Sequence, residues 1–213
     1  MTEKQLFEIL KQKESTTLEF KSRIDSPYKI ARTLAAFANT SGGQLIIGVN
    51  DDKSIKGCSE VEEMTKVIYA ASELVVPAID IVYSSVKVED KHNIMIVNIT
   101  EAVNKPHEAI DEHEHRTVYV RANDETTPVT KEMTQVMIKA GDKDINKQIL
   151  EQPNVKYLIT YLKKNTKITA KEYAKLVNIS AYRATKLLEA LTYESILLML
   201  SRQKPTQFVL RKW

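Results

Sequence analysis

Leu45, Ile46, Ile47 and Val49 form an apolar run that is almost unbroken, and this run constrains the chain more than any other stretch. Apolar residues at successive positions need cover on both faces, so the run predicts a central strand and not an edge strand with one wet face. Upstream, Ile30, Leu34, Phe37 and Ala38 recur at helical spacing between Tyr28 and Asn39, while Lys29, Arg32 and Thr33 fall elsewhere. That spacing predicts an amphipathic helix with one side in a core. Asn39, Thr40, Ser41, Gly42 and Gly43 end it, because glycine supplies the positive φ a helix C-terminus wants and leaves backbone amides uncovered. Asn50 to Lys53 reads as a turn, and Ser54 to Cys58 is expected to pair back as a hairpin.

The flanks follow the same logic. Leu6, Phe7, Ile9 and Leu10 predict a short first helix with Thr2 as its N-cap. Leu18 and Phe20 alternate with Glu19 and Lys21 along a strand, so Glu19 and Lys21 share a face. Val61, Met64, Val67, Ile68, Ala71, Leu74 and Val75 predict a second amphipathic helix, ended by Pro77. Residues 79–99 alternate on both sides of a turn at Glu89 to Asn93 and predict a long hairpin. Residues 101–116 are irregular and hold His107, His113 and His115 among acids; they read as a hydrated loop, with a metal or acid-base site as the alternative. Thr117 to Arg121 is another strand, and Lys131 to Ala140 a short helix.

Several of these pieces together resemble the Schlafen AlbA_2 domain, also called the divergent AlbA domain. They are Glu14, Leu18-Glu19-Phe20-Lys21, Ala35-Ala36-Phe37-Ala38-Asn39-Thr40, Gly42-Gly43, Ile46-Ile47-Gly48-Val49-Asn50-Asp51-Asp52, Val118-Tyr119-Val120-Arg121 and Thr126-Thr127-Pro128. The resemblance spans roughly residues 10 to 130. Ala122-Asn123-Asp124 stands where that domain usually has a glycine-containing turn. Some Schlafen-type members cleave RNA, and the resemblance carries their carboxylate set onto Glu14, Glu19 and Asp51, with Asp52 as the alternative third member. Such a set could hold Mg²⁺ or Mn²⁺ through oxygen ligands and activate water. The other reading of the same region is binding alone. Lys21, Ser41, Gly42, Gly43 and Arg121 would then receive a phosphate of ATP or of nucleic acid, although no Walker lysine follows the glycines.

Charge separates the two ends of the chain. From residue 150 onward there are twelve Lys and Arg against four Asp and Glu, a balance of +8, which leaves −5 on the preceding residues within a total of +3. Residues 141–152 are polar and lead to Pro153, so they read as a linker between residues 1–140 and 153–213. Beyond it, three helices precede two short strands: Val155, Leu158, Ile159 and Leu162; then Tyr173, Ala174 and Val177 behind Thr169; then Ala184, Leu187, Leu188 and Leu191 behind Ser180. This order looks like a winged helix-turn-helix domain. Residues 170–191 would be the helix-turn-helix, and residues 196–200 and 208–210 the wing. The resemblance implies that the third helix enters a major groove, with Tyr182, Arg183, Thr185 and Lys186 at its exposed start and Arg202 and Lys204 on the wing.

The whole is expected to be α+β: a mixed-sheet AlbA_2-like domain with packed helices, then a small winged-helix domain. At 213 residues and 43% apolar the chain can bury a core in each part. The single Cys58 cannot form an internal disulfide and reads as a small core residue. No apolar run is long enough for a membrane helix, which leaves the cytoplasm as the expected compartment. The expected function is nucleic-acid binding, DNA more than RNA, by a homodimeric transcriptional regulator. A metal-dependent endoribonuclease and a protein-assembly module are the alternatives.

Overall fold

The computed structural model describes residues 2–139, 147–194, 196–200 and 204–211. The chain divides into two compact units, Met1–Ala102 with His107–Thr127, and Val103–Pro106 with Pro128–Trp213. This division falls earlier than the expected linker at 141–152, of which 141–146 lies outside the described residues.

The first unit runs α1 (Glu3–Leu10), β1 (Leu18–Lys21), α2 (Pro27–Asn39), β2 (Gly43–Ile47), α3 (Glu60–Glu73), β3 (Val75–Val76), β4 (Ile81–Val88), β5 (His92–Ile99), β6 (Glu108–Ile110), β7 (Arg116–Ala122) and β8 (Glu125–Pro128). One sheet has the order β1-β2-β5-β4, with β1 parallel to β2 and the other pairs antiparallel. The mixed sheet is therefore present, and β2 is central in it. Leu45 and Ile47 join Met95, Val97 and Ile99 against α2 and α3. Ile46 joins Phe20, Ile94 and Ile96 against Leu6 and Leu10 of α1. The apolar run without alternation is thus explained by helices on both faces.

A second sheet, β3-β6-β7-β8, changes the reading of α2. One buried side was expected, yet nine of its residues are buried, including Thr33, because α2 packs on β6 and β7 as well as under the first sheet. Ala31, Ala35, Ala36 and Ala38 let both sheets approach. Pro27 opens the helix at a position whose N–H would lack a partner in any case.

The Ser54 to Cys58 stretch is not a strand. It closes on β2's continuation by a single bridge, Val49 to Ile55, and by the amides of Lys56 and Gly57 donating to the Gly48 carbonyl. Val75 leaves α3 and starts β3.

The loop before α2 is gripped by α3. Buried Glu63 accepts from the Ile24 N–H at 2.8 Å, and Lys66 Nζ donates to the Ile24 carbonyl at 2.9 Å. Glu63→Ala leaves the Ile24 amide buried without its partner, so it should cost about 2–3 kcal/mol in urea unfolding. An unchanged midpoint would show that this loop is held by other contacts.

The second unit runs α4 (Lys131–Lys139), α5 (Lys147–Leu150), α6 (Pro153–Asn165), β9 (Lys167–Thr169), α7 (Ala170–Leu176), α8 (Ala181–Tyr193), β10 (Leu197–Leu200) and β11 (Gln207–Leu210). The last three strands form an antiparallel sheet ordered β10-β11-β9. Its core gathers Val155, Leu158, Leu162, Ile168, Tyr173, Ala184, Leu188, Leu191, Ile196 and Phe208. Helices α6 to α8 and the terminal hairpin lie where periodicity placed them; β9 is an addition, and α5 falls within the stretch expected to be linker. Thr169 caps α7 in a reciprocal box with Glu172, and the Ser180 hydroxyl caps α8 through the Arg183 N–H.

Candidate nucleic-acid interface

The carboxylates of the first unit are held by the protein itself. Glu14 Oε1 accepts from the Phe20 N–H at 2.9 Å, so it caps β1 where no neighbouring strand serves that amide. Glu19, on β1 itself, is 6% exposed. One of its oxygens meets Lys21 Nζ, and the other lies 2.9 Å from a terminal nitrogen of Arg121 on β7. The latter is a close ionic contact without the alignment of a full hydrogen bond.

Arg121 is 2% exposed and is satisfied on several sides. Its terminal nitrogens donate to the carbonyls of Ser15 and Asp124, both at 2.9 Å, and to the Thr126 hydroxyl at 3.0 Å. The guanidinium also lies 4.9 Å over the Phe37 ring. A cation so enclosed holds β1, β7 and the following turn together and does not present a charge to solvent. The Ala122-Asn123-Asp124 turn supplies one of its acceptors, with Asn123 at φ 61°.

Asp51 is exposed on the turn after β2. Asp52 faces Ser54, whose hydroxyl and amide donate to it and hold its carboxyl below the usual range. Among the described residues, no group of three His, Cys, Asp or Glu side chains stands where it could share a metal ion. The expected set of Glu14, Glu19 and Asp51 is therefore not assembled as a metal centre. The histidine loop behaves likewise. The Asp111 carboxylate accepts from the amides of His113 and His115, both at 2.9 Å, and so shapes the loop. His107 is buried with its Nδ1 2.6 Å from the Pro77 carbonyl.

The glycine turn also differs from expectation. Gly42 has the positive φ, +63°, but its amide donates to the Phe37 carbonyl at 2.9 Å and is not left open. A Cβ there would stand 2.6 Å from the Ile99 carbonyl oxygen, and one on Gly43 would stand 2.5 Å from the Phe37 ring. Close packing thus accounts for both glycines. With Lys21 paired to Glu19 and Arg121 buried, Lys21, Ser41, Gly42, Gly43 and Arg121 do not form an open phosphate cradle.

A residue that spacing did not single out is Asn39. It is 1% exposed, donates to the carbonyls of His107 at 2.7 Å and Tyr119 at 2.9 Å, and accepts from the His107 amide at 2.7 Å. One side chain thereby joins α2 to the segment before β6 and to β7. A polar residue at the end of a buried helix was the signal, but it reads equally well as part of a turn.

In the second unit, α8 presents a clear outer face. Ala184, Leu188, Leu191 and Thr192 are buried, while Tyr182, Arg183, Lys186, Ala190 and Tyr193 are exposed. Tyr182 is 72% exposed. The Thr185 hydroxyl turns back to the Ala181 carbonyl at 2.9 Å, so it serves its own helix. Lys186 Nζ pairs with Glu189 at 3.0 Å, which raises the pKa of Lys186. Lys204 is exposed beside β11; Arg202 lies outside the described residues.

A family profile, Schlafen, AlbA_2, matches residues 14–130, more than half of the chain. The chain belongs to the Schlafen AlbA_2 family. Among solved structures, the DIP2311 protein from Corynebacterium diphtheriae is 20% identical, with a TM-score of 0.44 over 61% of this chain and 28% of that one. This chain thus spans under a third of that protein's length. The N-terminal domain of a putative ATP-dependent DNA helicase RecG-related protein from Nitrosomonas europaea is 22% identical, with a TM-score of 0.37 over 46% of this chain and 71% of that one.

The Schlafen AlbA_2 match begins at Glu14 and takes in Glu19, Asn39, the glycine turn and Arg121. In this member of the family those residues organise the domain's interior. The α8 face lies beyond the matched residues. Among the described residues no helix is long and apolar enough to cross a membrane.

Proposed function

We propose that this Schlafen AlbA_2 protein binds nucleic acid, duplex DNA foremost, and acts as a transcriptional regulator whose C-terminal unit is a winged helix. The α7–α8 pair is the helix-turn-helix in this reading, and the β10–β11 hairpin is the wing. The single observation that carries it is the outer face of α8. Tyr182 and Arg183 stand exposed at the start of a capped helix, within the end of the chain that carries a balance of +8. Arg183 is suited to a guanine edge and Tyr182 to a thymine methyl or a phosphate, while Lys204 supports the backbone. The reading has the protein bind as a homodimer, since two-fold half-sites suit such helices. Sedimentation of the protein alone and on a selected site tests that element.

The decisive experiment is selection from a randomised duplex library, followed by titration of the selected site. Binding should weaken steeply with salt, and Arg183→Ala should relax preference at one base position by about 1–3 kcal/mol. No salt-sensitive binding to any duplex would end the proposal. Among the described residues no three acidic, His or Cys side chains stand together as a metal centre, which does not favour metal-dependent RNA cleavage; cutting of structured RNA with Mn²⁺ that Glu19→Gln abolishes would reverse that judgement.

A further inference from the structure

On the α8 face Lys186 is paired with Glu189, which leaves Arg183 as the exposed cation without an ion pair there among the described residues. The cations of the second unit concentrate elsewhere. Lys163 and Lys164 close α6, Lys167 begins β9, and Lys171 and Lys175 lie one turn apart on α7; all five are exposed. Among the described residues none of the five forms an ion pair with a carboxylate. The only acid within residues 163–175 is Glu172, and it is occupied. Its carboxylate accepts from the Thr169 N–H and hydroxyl, each at 2.8 Å. Those bonds chiefly hold its pKa low, with Lys167 and Lys175 adding to the effect. These two lysines therefore share the neighbourhood of one carboxylate, one oxygen of which is already held by Thr169.

Like charges one helical turn apart, as Lys171 and Lys175 are on α7, repel one another, and the repulsion is relieved when a polyanion lies across them. Lysine suits this task as a mobile point charge on a long stem. It lacks the fixed fork with which arginine reads an edge. A surface built only from lysine fits phosphates of any sequence. Helix α7, which carries two of these lysines, packs on α8.

We infer that Lys163, Lys164, Lys167, Lys171 and Lys175 form a second contact surface, for the phosphate backbone of nucleic acid, which supplies the sequence-independent part of binding while α8 supplies discrimination. The inference rests on the nucleic-acid reading above and assigns its electrostatic part to residues outside the expected helix and wing.

The test is fluorescence anisotropy of the full chain on the selected duplex and on a scrambled one, across a salt series. Three proteins are compared: wild type, K167Q/K171Q/K175Q, and a control, K29Q/K56Q/K87Q, which removes three exposed lysines of the first unit. The slope of log K against log salt should flatten by roughly 2–3 in the first variant, about 0.9 per lost contact, and equally on both duplexes. The control should keep nearly the wild-type slope. Circular dichroism establishes that the variants are folded. A wild-type slope in K167Q/K171Q/K175Q, with Arg183→Ala still relaxing specificity, overturns this inference and leaves the α8 reading intact. Equal flattening in the control overturns it too, by reducing the effect to net charge. Absence of binding to any duplex removes both readings. Wild-type binding to anionic vesicles but not to duplex, lost in the variant, would reassign the surface to lipid.

Discussion

Arg121→Ala is expected to cost the first unit about 3–5 kcal/mol, the usual result of removing one partner of a buried ion pair. The loss has several sources. Glu19 would keep only Lys21 while remaining 6% exposed, and the carbonyls of Ser15 and Asp124 and the Thr126 hydroxyl would lose a charged donor. A void would also open over Phe37. Since a domain's total stability is about 5–15 kcal/mol, the variant should be largely unfolded or melt far below the wild type. Arg121→Lys should rescue only in part, because one ammonium cannot reach acceptors spread around a planar fork. Replacing both partners, Glu19→Leu with Arg121→Met, should recover more than either single change, since neither charge is then left stranded. Urea unfolding of these variants, of Glu19→Leu and Arg121→Met alone, and of the wild type is the measurement. A wild-type midpoint for Arg121→Ala would mean that this arginine is not part of the interior frame.

Asn39→Leu, nearly matched in size, should cost about 3 kcal/mol or more, because three backbone groups lose their partner together at about 1–3 kcal/mol each. The carbonyls of His107 and Tyr119 and the amide of His107 would all remain away from water. Asn39→Asp should be worse, since a carboxylate oxygen would face those carbonyls with nothing to donate. Thermal melts give the size of the effect, and amide exchange locates it. The His107 N–H should exchange much faster than in the wild type while amides in β2 and β5 of the same folded fraction stay protected. Uniform loss of protection would instead mean that Asn39 acts only through global stability.

How far the sequence predicted the fold depended on whether an element carries enough apolar residues to show a pattern. The helix ahead of β2, the β4–β5 hairpin and helices α6 to α8 each carry enough apolar residues for a period to emerge. Strands β3, β6, β8 and β9 are two to four residues long and show none. β6 hid inside a stretch whose histidines and acids read as loop. For the site, residue types were visible and distances were not. Glu14 and Glu19 stood out as a pair, but the groups that claim them are a local amide and an arginine that also meets Ser15 from 106 positions away. Spacing within a motif cannot report such a partner. On α8 the exposed face was legible because helical geometry alone fixes it, whereas the Lys186–Glu189 pairing and the inward turn of the Thr185 hydroxyl were not.

The placement of α2 between two sheets has a consequence for how this domain can vary. A helix roofed by only one layer can drift as its surface side chains change, but here every neighbour is already taken, and Ala31, Ala35, Ala36 and Ala38 have no direction in which to grow. Diversity in related chains should therefore accumulate at the rim, in turns such as the one joining β4 to β5, while the helix in the middle changes least.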